Sequence, residues 1–300
     1  MTEKAQMKIA FIGLGRMGGP IAGHLAAAGH NVTVVEPNLD TLSRWCQNHE
    51  GTSAPSAGAA ASDAEVVITS LPADAQLQAV AEGILDHLPS SGVWVDHTTA
   101  SVQISRTLAR DASTRDLGFI DAPVSGGVDG ATRGTLAIMA GGTTTDIDRV
   151  RPLLECYAKR ISHMGDAGTG QLTKMTNQIC VVGIGQALAE GLDFAETAGL
   201  DLEKVVGVML SGASASWQME NRWQAMANSD YEFGFATELM RKDIGLCLAE
   251  ARRSGVGLPV TALVDQFLSD VEALGGKRWD WCSLMERQRG ARRGESNTGD

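Results

Sequence analysis

Lys8-Ile9-Ala10-Phe11-Ile12-Gly13-Leu14-Gly15-Arg16-Met17-Gly18 is the stretch that decides the fold. Its apolar run Ile9-Ala10-Phe11-Ile12 suits a strand covered on both faces, as in a parallel sheet. The strand enters G-x-G-x-x-G, and a helix of small residues follows, ending at Gly29. Each glycine has its own reason. Gly13 permits the tight turn, Gly15 lets the backbone approach a pyrophosphate, and Gly18 lets helix and strand pack closely. The pyrophosphate would sit against free N–H groups at the helix N-terminus. In a chain of 35 glycines the motif gains weight from Glu36, which ends the next predicted strand. A carboxylate there accepts hydrogen bonds from the adenosine ribose and repels a 2′-phosphate. Pro37 stands where an arginine could have held that phosphate. The expected cofactor is NAD, with NADP as the alternative, held by Gly13, Leu14, Gly15, Arg16, Met17, Gly18 and Glu36.

Outward from this turn, strand and helix signals alternate as far as residue 165. The predicted strands are Lys8–Ile12, Val32–Glu36, Glu65–Ser70, Val93–Asp96, Gly118–Asp121, Leu136–Ala140 and Arg160–Met164. Alternation at this spacing predicts an α/β fold with a doubly wound parallel sheet over residues 1–167. Beyond residue 168 the strand signal stops. Leu172, Met175, Ile179, Val182, Leu188, Leu192 and Ala195 keep helical spacing with no proline, which predicts one long helix over Leu172–Ala198. Further helices are expected over Leu202–Ser211, Ser216–Ala227, Phe235–Ser254 and Thr261–Leu274, separated by Gly, Pro and Ser-Asp breaks. Residues 168–290 are thus expected to form an all-helical second domain, and the polar tail 291–300 to be disordered.

Composition sets the outer bounds. Three hundred residues suffice for two domains of ordinary size, and 43% hydrophobic with 20% charged residues is ordinary for a globular protein. A net charge of -11 argues against nucleic acid as a partner, since counterion release needs basic patches. The five cysteines are scattered, with an odd count and no CxxC, which fits a reducing compartment and neither a disulfide frame nor a metal site. Residues 1–6 lack a signal-peptide core and no run is long enough to span a membrane, so a cytoplasmic location is expected.

Two strand-end loops should close over the cofactor. Ser70-Leu71-Pro72 would bring Leu71 and Pro72 alongside the nicotinamide half, and Asp96-His97-Thr98-Thr99 would place Thr99 there or cap the next helix. Ser125-Gly126-Gly127 follows the fifth predicted strand and looks like an anion cradle. Its glycines expose consecutive N–H groups and the serine adds a hydroxyl donor, a set that suits a carboxylate.

Four motifs in order, Gly13-Leu14-Gly15-Arg16-Met17-Gly18, Asp121-Ala122-Pro123-Val124-Ser125-Gly126-Gly127, Gly168-Thr169-Gly170-Gln171-Leu172-Thr173-Lys174-Met175-Thr176-Asn177-Gln178 and Lys242-Asp243, carry a resemblance to the β-hydroxyacid dehydrogenases. That family includes 3-hydroxyisobutyrate dehydrogenase and tartronate semialdehyde reductase. The resemblance implies a Rossmann domain, an all-α domain entered through a long helix, and NAD(P)-linked oxidation of short β-hydroxyacids. It also implies that Lys242 reaches the cofactor and that Phe235, on the same predicted helix, lines the pocket.

Lys174 is the candidate proton carrier. It lies about one turn into a helix whose positive N-terminus disfavours the ammonium form, and a lysine buried beside a nicotinamide can act near neutral pH. Asn177 and Gln178 share its helix face and can orient it or bind the substrate. Many relatives carry Asn where Gln178 stands, while the branch resembling tartronate semialdehyde reductases carries Gln; the longer amide is expected to alter pocket depth, which leaves the identity of the substrate open. Trp217, Trp223, Trp279 and Trp281 read as packing or subunit contacts, with Trp217 also placed to cover the site. The apolar second half suggests a homodimer or homotetramer.

The expected activity is oxidation of a 3-hydroxyisobutyrate-like acid. The alternatives are reduction of tartronate semialdehyde, succinic semialdehyde or a sulfonated analogue. An imine-reducing relative would generally lack Lys174, and a 6-phosphogluconate-type enzyme would be longer and need more cations. A nucleotide-binding scaffold without catalysis would show a degraded lysine position.

Overall fold

The computed structural model describes residues 6–296, with side chains through Gly290. The chain forms two compact units, Met1–Lys174 and Met175–Asp300. Among the described residues, the first contains nine strands: β1 (Lys8–Ile12), β2 (Asn31–Val35), β3 (Thr52–Ser53), β4 (Val66–Thr69), β5 (Val93–Asp96), β6 (Gly118–Asp121), β7 (Val124–Ser125), β8 (Leu136–Gly141) and β9 (Ala158–Gly165). Their order is β3-β2-β1-β4-β5-β6-β8-β7, with β9 paired to β8.

Pairings from β3 to β6 are all parallel, as a doubly wound sheet requires. Successive residues of one strand enter opposite cores. Ile9, Phe11, Val66, Ile68, Val93, Val95 and Ile120 bury on one face, while Ala10, Ile12, Val67, Trp94 and Phe119 bury on the other. That two-sided burial explains the unbroken apolar runs. Chain order reverses beside β1, whose neighbours are β2 and β4, and ligands of open α/β sheets bind outside the carboxyl ends at such a switch point.

The sequence prediction departs from the structure in instructive places. Strand ends shift by one or two residues, and Glu36 lies just past β2 rather than inside it. The sheet is parallel-dominated, not wholly parallel: β8 runs antiparallel to β6 and β7. Strands β3 and β7 were not expected, because two-residue strands carry no periodicity and their pairing partners are distant in sequence.

The long helix covers Thr169–Thr197, beginning three residues before the predicted start. In the second unit, helices Leu202–Met209, Trp217–Asn228, Thr237–Ser254 and Pro259–Ala273 follow, and their ends obey local rules. Asp201 and Ser216 cap two N-termini by accepting backbone N–H groups, Gly255 ends a third helix at φ 70°, and Pro259 opens a fourth. Phe235 is a correction: the helix begins at Thr237, so Phe235 precedes it. Ala236 bridges to Asp280, the Asp280 carboxylate accepts the Phe235 N–H at 2.9 Å, and these contacts hold the segment extended.

The helical core gathers Val182, Leu192, Met240, Ile244, Leu268 and Trp281. Trp281 lies so tightly on Gly185 that a Cβ there would overlap its ring. Trp217 is 54% exposed, with the Arg222 guanidinium 4.8 Å from its ring centre. A last helix, Leu284–Ser296, was not predicted. Arg289 anchors it by donating to the Glu196 carboxylate and to the Met226 and Ala227 carbonyls. Of the tail expected at 291–300, the backbone through Ser296 belongs to this helix, and residues 297–300 lie outside the described residues. Among the described residues, no helix is long and apolar enough to cross a membrane, and no group of side chains could hold a metal ion.

Candidate active site

The glycine turn sits at the carboxyl end of β1. Gly13 has φ 96°, its N–H donates to the Val35 carbonyl at 2.9 Å, and a Cβ there would overlap the Ser70 carbonyl oxygen. A Cβ on Gly18 would overlap the Gly13 carbonyl oxygen. The protein's own packing therefore demands both glycines. Gly15 is different: among the described residues, a Cβ there would meet no atom within 4 Å. Packing among the described residues therefore does not require a glycine at position 15, and the open space there leaves room for a pyrophosphate at the following helix N-terminus. Helix Gly18–Ala27 has, among the described residues, neither a capping side chain nor an acidic residue in its first turn. Its N–H groups suit an anion. Leu14 is buried behind the turn, Met17 packs on the core and Arg16 is exposed.

Glu36 anchors the same turn. One carboxylate oxygen accepts the Leu14 N–H at 2.8 Å and the other accepts the Asn38 N–H at 3.0 Å. A carboxylate can accept about four hydrogen bonds, so ribose hydroxyls could still be taken.

The loops after β4 and β5 are tied together. Leu71 N–H donates to the Thr98 hydroxyl at 3.1 Å, leaving Leu71 half-buried, Pro72 exposed and Thr99 partly exposed. Neither threonine caps the next helix; Ser101 does, accepting the Ile104 N–H. Beneath them Asp96 is fully buried. Its Oδ1 accepts from the Thr69 hydroxyl at 2.7 Å and from Thr98 N–H at 3.1 Å, while Oδ2 has no partner among the described residues. Burial pushes its carboxyl up to about 6 against those two bonds. His97 is bonded through Nδ1 to the Ala122 carbonyl at 2.6 Å and through Nε2 to the Tyr157 hydroxyl at 2.8 Å. Burial pushes this imidazole down to about 4, so it is neutral with both nitrogens engaged, and makes a poor proton carrier.

Lys174 belongs to the first unit and is half-buried there. Its Nζ donates to the Val124 carbonyl at 2.9 Å, one residue before Ser125. Gly126 and Gly127 have φ 127° and 62°, conformations that disfavour side chains, and both are exposed. The structure thus brings the amine to the strand end that carries Ser125, Gly126 and Gly127. The early start of the lysine's helix has a remote cause. Asp121, at the end of β6, accepts Gly168 N–H at 2.7 Å and Gln171 N–H at 2.8 Å, capping the helix across 47 positions of sequence. Burial pushes the Asp121 carboxyl up to about 7, against these two bonds.

In the second unit a separate polar cluster forms around Asp243. Gln178 Nε2 donates to its Oδ2 at 2.7 Å, and Lys242 pairs with its Oδ1 at 2.8 Å. Asn177 Nδ2 donates to Gln178 Oε1 at 2.9 Å. Gln178 is buried with its amide turned to Asp243, and Asn177 is only partly buried. Phe235 is partly buried against the helical core.

Known proteins are similar to this chain in sequence and fold. Residues 8–165 match the family described as the NAD binding domain of 6-phosphogluconate dehydrogenase, and residues 168–287 match that described as NAD-binding of NADP-dependent 3-hydroxyisobutyrate dehydrogenase. An uncharacterized oxidoreductase of Shewanella frigidimarina is 47% identical over 93% of this chain and 97% of its own. A 3-hydroxyisobutyrate dehydrogenase of Pseudomonas aeruginosa is 36% identical over 94% of this chain and 98% of its own. The solved structure of Mycobacterium tuberculosis 3-hydroxyisobutyrate dehydrogenase with L-serine superposes with a TM-score of 0.87 at 30% identity, covering 95% of this chain and all of that one.

The glycine geometry gives a paired prediction. Gly18→Ala should lower unfolding stability by ~1–3 kcal/mol through overpacking, whereas Gly15→Ala should stay within ~0.5 kcal/mol and lose dinucleotide affinity. Denaturant melts and cofactor titration check both, and equal destabilisation would refute the distinction. Asp96 gives a second. Its folded pKa, about 6, exceeds the unfolded value near 3.8, so its stabilising contribution is full below that value and is lost as pH rises through about 6. The stability of the parent relative to Asp96→Asn should therefore decline from pH 4 to 7 and then level off. A difference independent of pH would rule out the upward shift of the Asp96 carboxyl.

Proposed function

Because the chain belongs to the β-hydroxyacid dehydrogenase family, we propose that it oxidises a short, 3-hydroxyisobutyrate-like acid to its semialdehyde, with NAD as cofactor and Lys174 as proton carrier. Membership makes it an NAD(P)-dependent oxidoreductase of the 3-hydroxyisobutyrate dehydrogenase type. The choice of acid, the role of the lysine and the preference for NAD are the proposal.

One contact carries it: the Lys174 amine on the Val124 carbonyl, beside Ser125-Gly126-Gly127. In this reading the substrate carboxylate rests on the Ser125 hydroxyl and the N–H groups of Gly126 and Gly127. That places the β-hydroxyl, a short chain away, next to Nζ. When bound, the nicotinamide supplies the two-electron acceptor for the hydrogen leaving the hydroxyl carbon. The neutral lysine takes the hydroxyl proton on its lone pair while an N–H stays on Val124; in the reverse direction the ammonium returns it. Asn177 offers its amide to the substrate, and Gln178, held on Asp243, orients it. Phe235 bounds the pocket, and Lys242 serves the cofactor. Gly13, Leu14, Gly15, Arg16, Met17 and Gly18 hold the pyrophosphate, Glu36 the ribose, and Leu71, Pro72 and Thr99 flank the nicotinamide half.

Phe194 and Val208, 75% and 76% exposed in the helical unit, supply apolar surface for self-association.

Absorbance at the reduced-nicotinamide band with a panel of short hydroxyacids, L-serine included, tests the assignment. A flat response to every acid with NAD bound would instead indicate a nucleotide-binding scaffold. Lys174→Ala should keep cofactor affinity and lower turnover by ~10²–10⁴-fold; unchanged turnover reassigns the proton carrier. Glu36→Gln should shift the NAD-to-NADP ratio of kcat/KM toward NADP by ~10-fold, equivalent to ~1.4 kcal/mol. A constant ratio would remove Glu36 from cofactor choice.

A further inference from the structure

Gln171 has no surface exposure, and its side chain joins two segments that the proposed chemistry needs in register. Its Oε1 accepts the Ala100 N–H at 3.1 Å and its Nε2 donates to the Thr98 carbonyl at 2.7 Å. Its own N–H lies on Asp121 Oδ2 at 2.8 Å, and the other Asp121 oxygen takes Gly168 N–H at 2.7 Å. Three residues further along the same helix comes Lys174, with its amine on the Val124 carbonyl. On the opposite side, Thr98 holds the Leu71 N–H.

The surroundings leave this arrangement little freedom. A Cβ on Gly170 would overlap the Asp121 and Met139 carbonyl oxygens, and a Cβ on Gly141 would press on Asp121 Oδ1. The helix start is therefore seated directly on the β6 carboxylate. The Gln171 amide bonds the loop with two different atoms, its oxygen accepting from Ala100 and its nitrogen donating to Thr98. Glutamine reaches from the helix to the loop, and loss of its amide would leave a buried N–H and a buried carbonyl unpaired.

We propose that Gln171, seated on Asp121, is a positioning residue that fixes the Lys174 amine relative to the Thr98–Ala100 loop. This rests on the reading of Lys174 as proton carrier given above. Gln171 touches no reacting atom; it acts by setting where the lysine stands. A displacement of about 1 Å at a reacting group costs ~10²-fold in rate.

The test uses the full chain with Gln171→Met, Asp121→Asn and the double variant, all assayed well below their melting temperatures. Turnover is measured with NAD and the best acid of the panel. Independently of turnover, the protein is labelled with ¹³C at lysine Cε, and the Lys174 resonance is identified by its loss in Lys174→Ala. The expected result is a moved Lys174 resonance, kcat lowered ~10–10²-fold with the KM for NAD within about threefold, and losses in the double variant smaller than the product of the single ones. A Gln171→Met protein with the resonance unmoved and kcat within about twofold of the parent overturns the proposal, since a purely structural role would lower only the melting temperature. A moved resonance in a protein whose parent oxidises no acid would support the positioning role and reject the reaction assigned to the site. Should Gln171→Met fail to fold, Gln171→Glu, which keeps the acceptor for Ala100 and loses the donor to Thr98, takes its place in the same measurements.

Discussion

A single buried carboxylate, Asp121 at the end of β6, accepts two backbone N–H groups from the start of the Thr169–Thr197 helix. The first N–H groups of any helix lack partners inside it, and an anion at that end is favoured by the helix dipole. Here the carboxylate comes from the sheet, so the helix that carries Lys174 is tied to the strand whose next residues include Ser125-Gly126-Gly127. Burial raises the Asp121 carboxyl to about 7, because removing the charged form from water costs it its hydration. Its two N–H donors offset part of that cost.

The same logic separates the glycines of the nucleotide turn. Gly13 and Gly18 are dictated by carbonyl oxygens of the fold itself, whereas the space above Gly15 belongs to no described part of the chain. A motif that looks uniform in sequence thus divides into residues that the turn's own packing requires and one that it does not. Electrostatics divides similarly. The chain carries a net charge of -11, yet a lysine amine is held on the Val124 carbonyl of β7, two residues before the exposed Gly126. Local placement can serve a carboxylate despite the overall charge, because exposed charges more than about 10 Å away are screened by salt.

Much of the fold was legible in the residues. Runs such as Val66-Val67-Ile68 read as strands buried on both sides because successive side chains enter two different cores. The second unit's helices were legible because Asp201, Ser216, Gly255 and Pro259 mark their ends locally. Strand β7 was not, since its two residues pair with Ile138 and Ala137 far along the chain. The helix Leu284–Ser296 was also hidden. Its arginine-rich sequence shows no apolar stripe, and Arg289 is held by carbonyls and a carboxylate from other helices. Phe235 looked helical by periodicity, but the Asp280 contacts outweigh a weak local preference.

Of the candidate site, sequence by itself determined the residue types: the glycines, Glu36, Ser125-Gly126-Gly127 and a lysine followed at helical spacing by two amides. Those follow from chemistry that a short stretch of chain can encode, through backbone freedom, charge and the 3.6-residue period. Tertiary structure alone decided which groups these side chains meet. It set Lys174 on the Val124 carbonyl, turned Gln178 toward Asp243, made His97 a neutral internal strut, and gave Gln171 the task of joining a loop to a helix. Each of those bonds closes over dozens of residues, so its partner is chosen by how strands and helices pack and leaves no mark in local sequence.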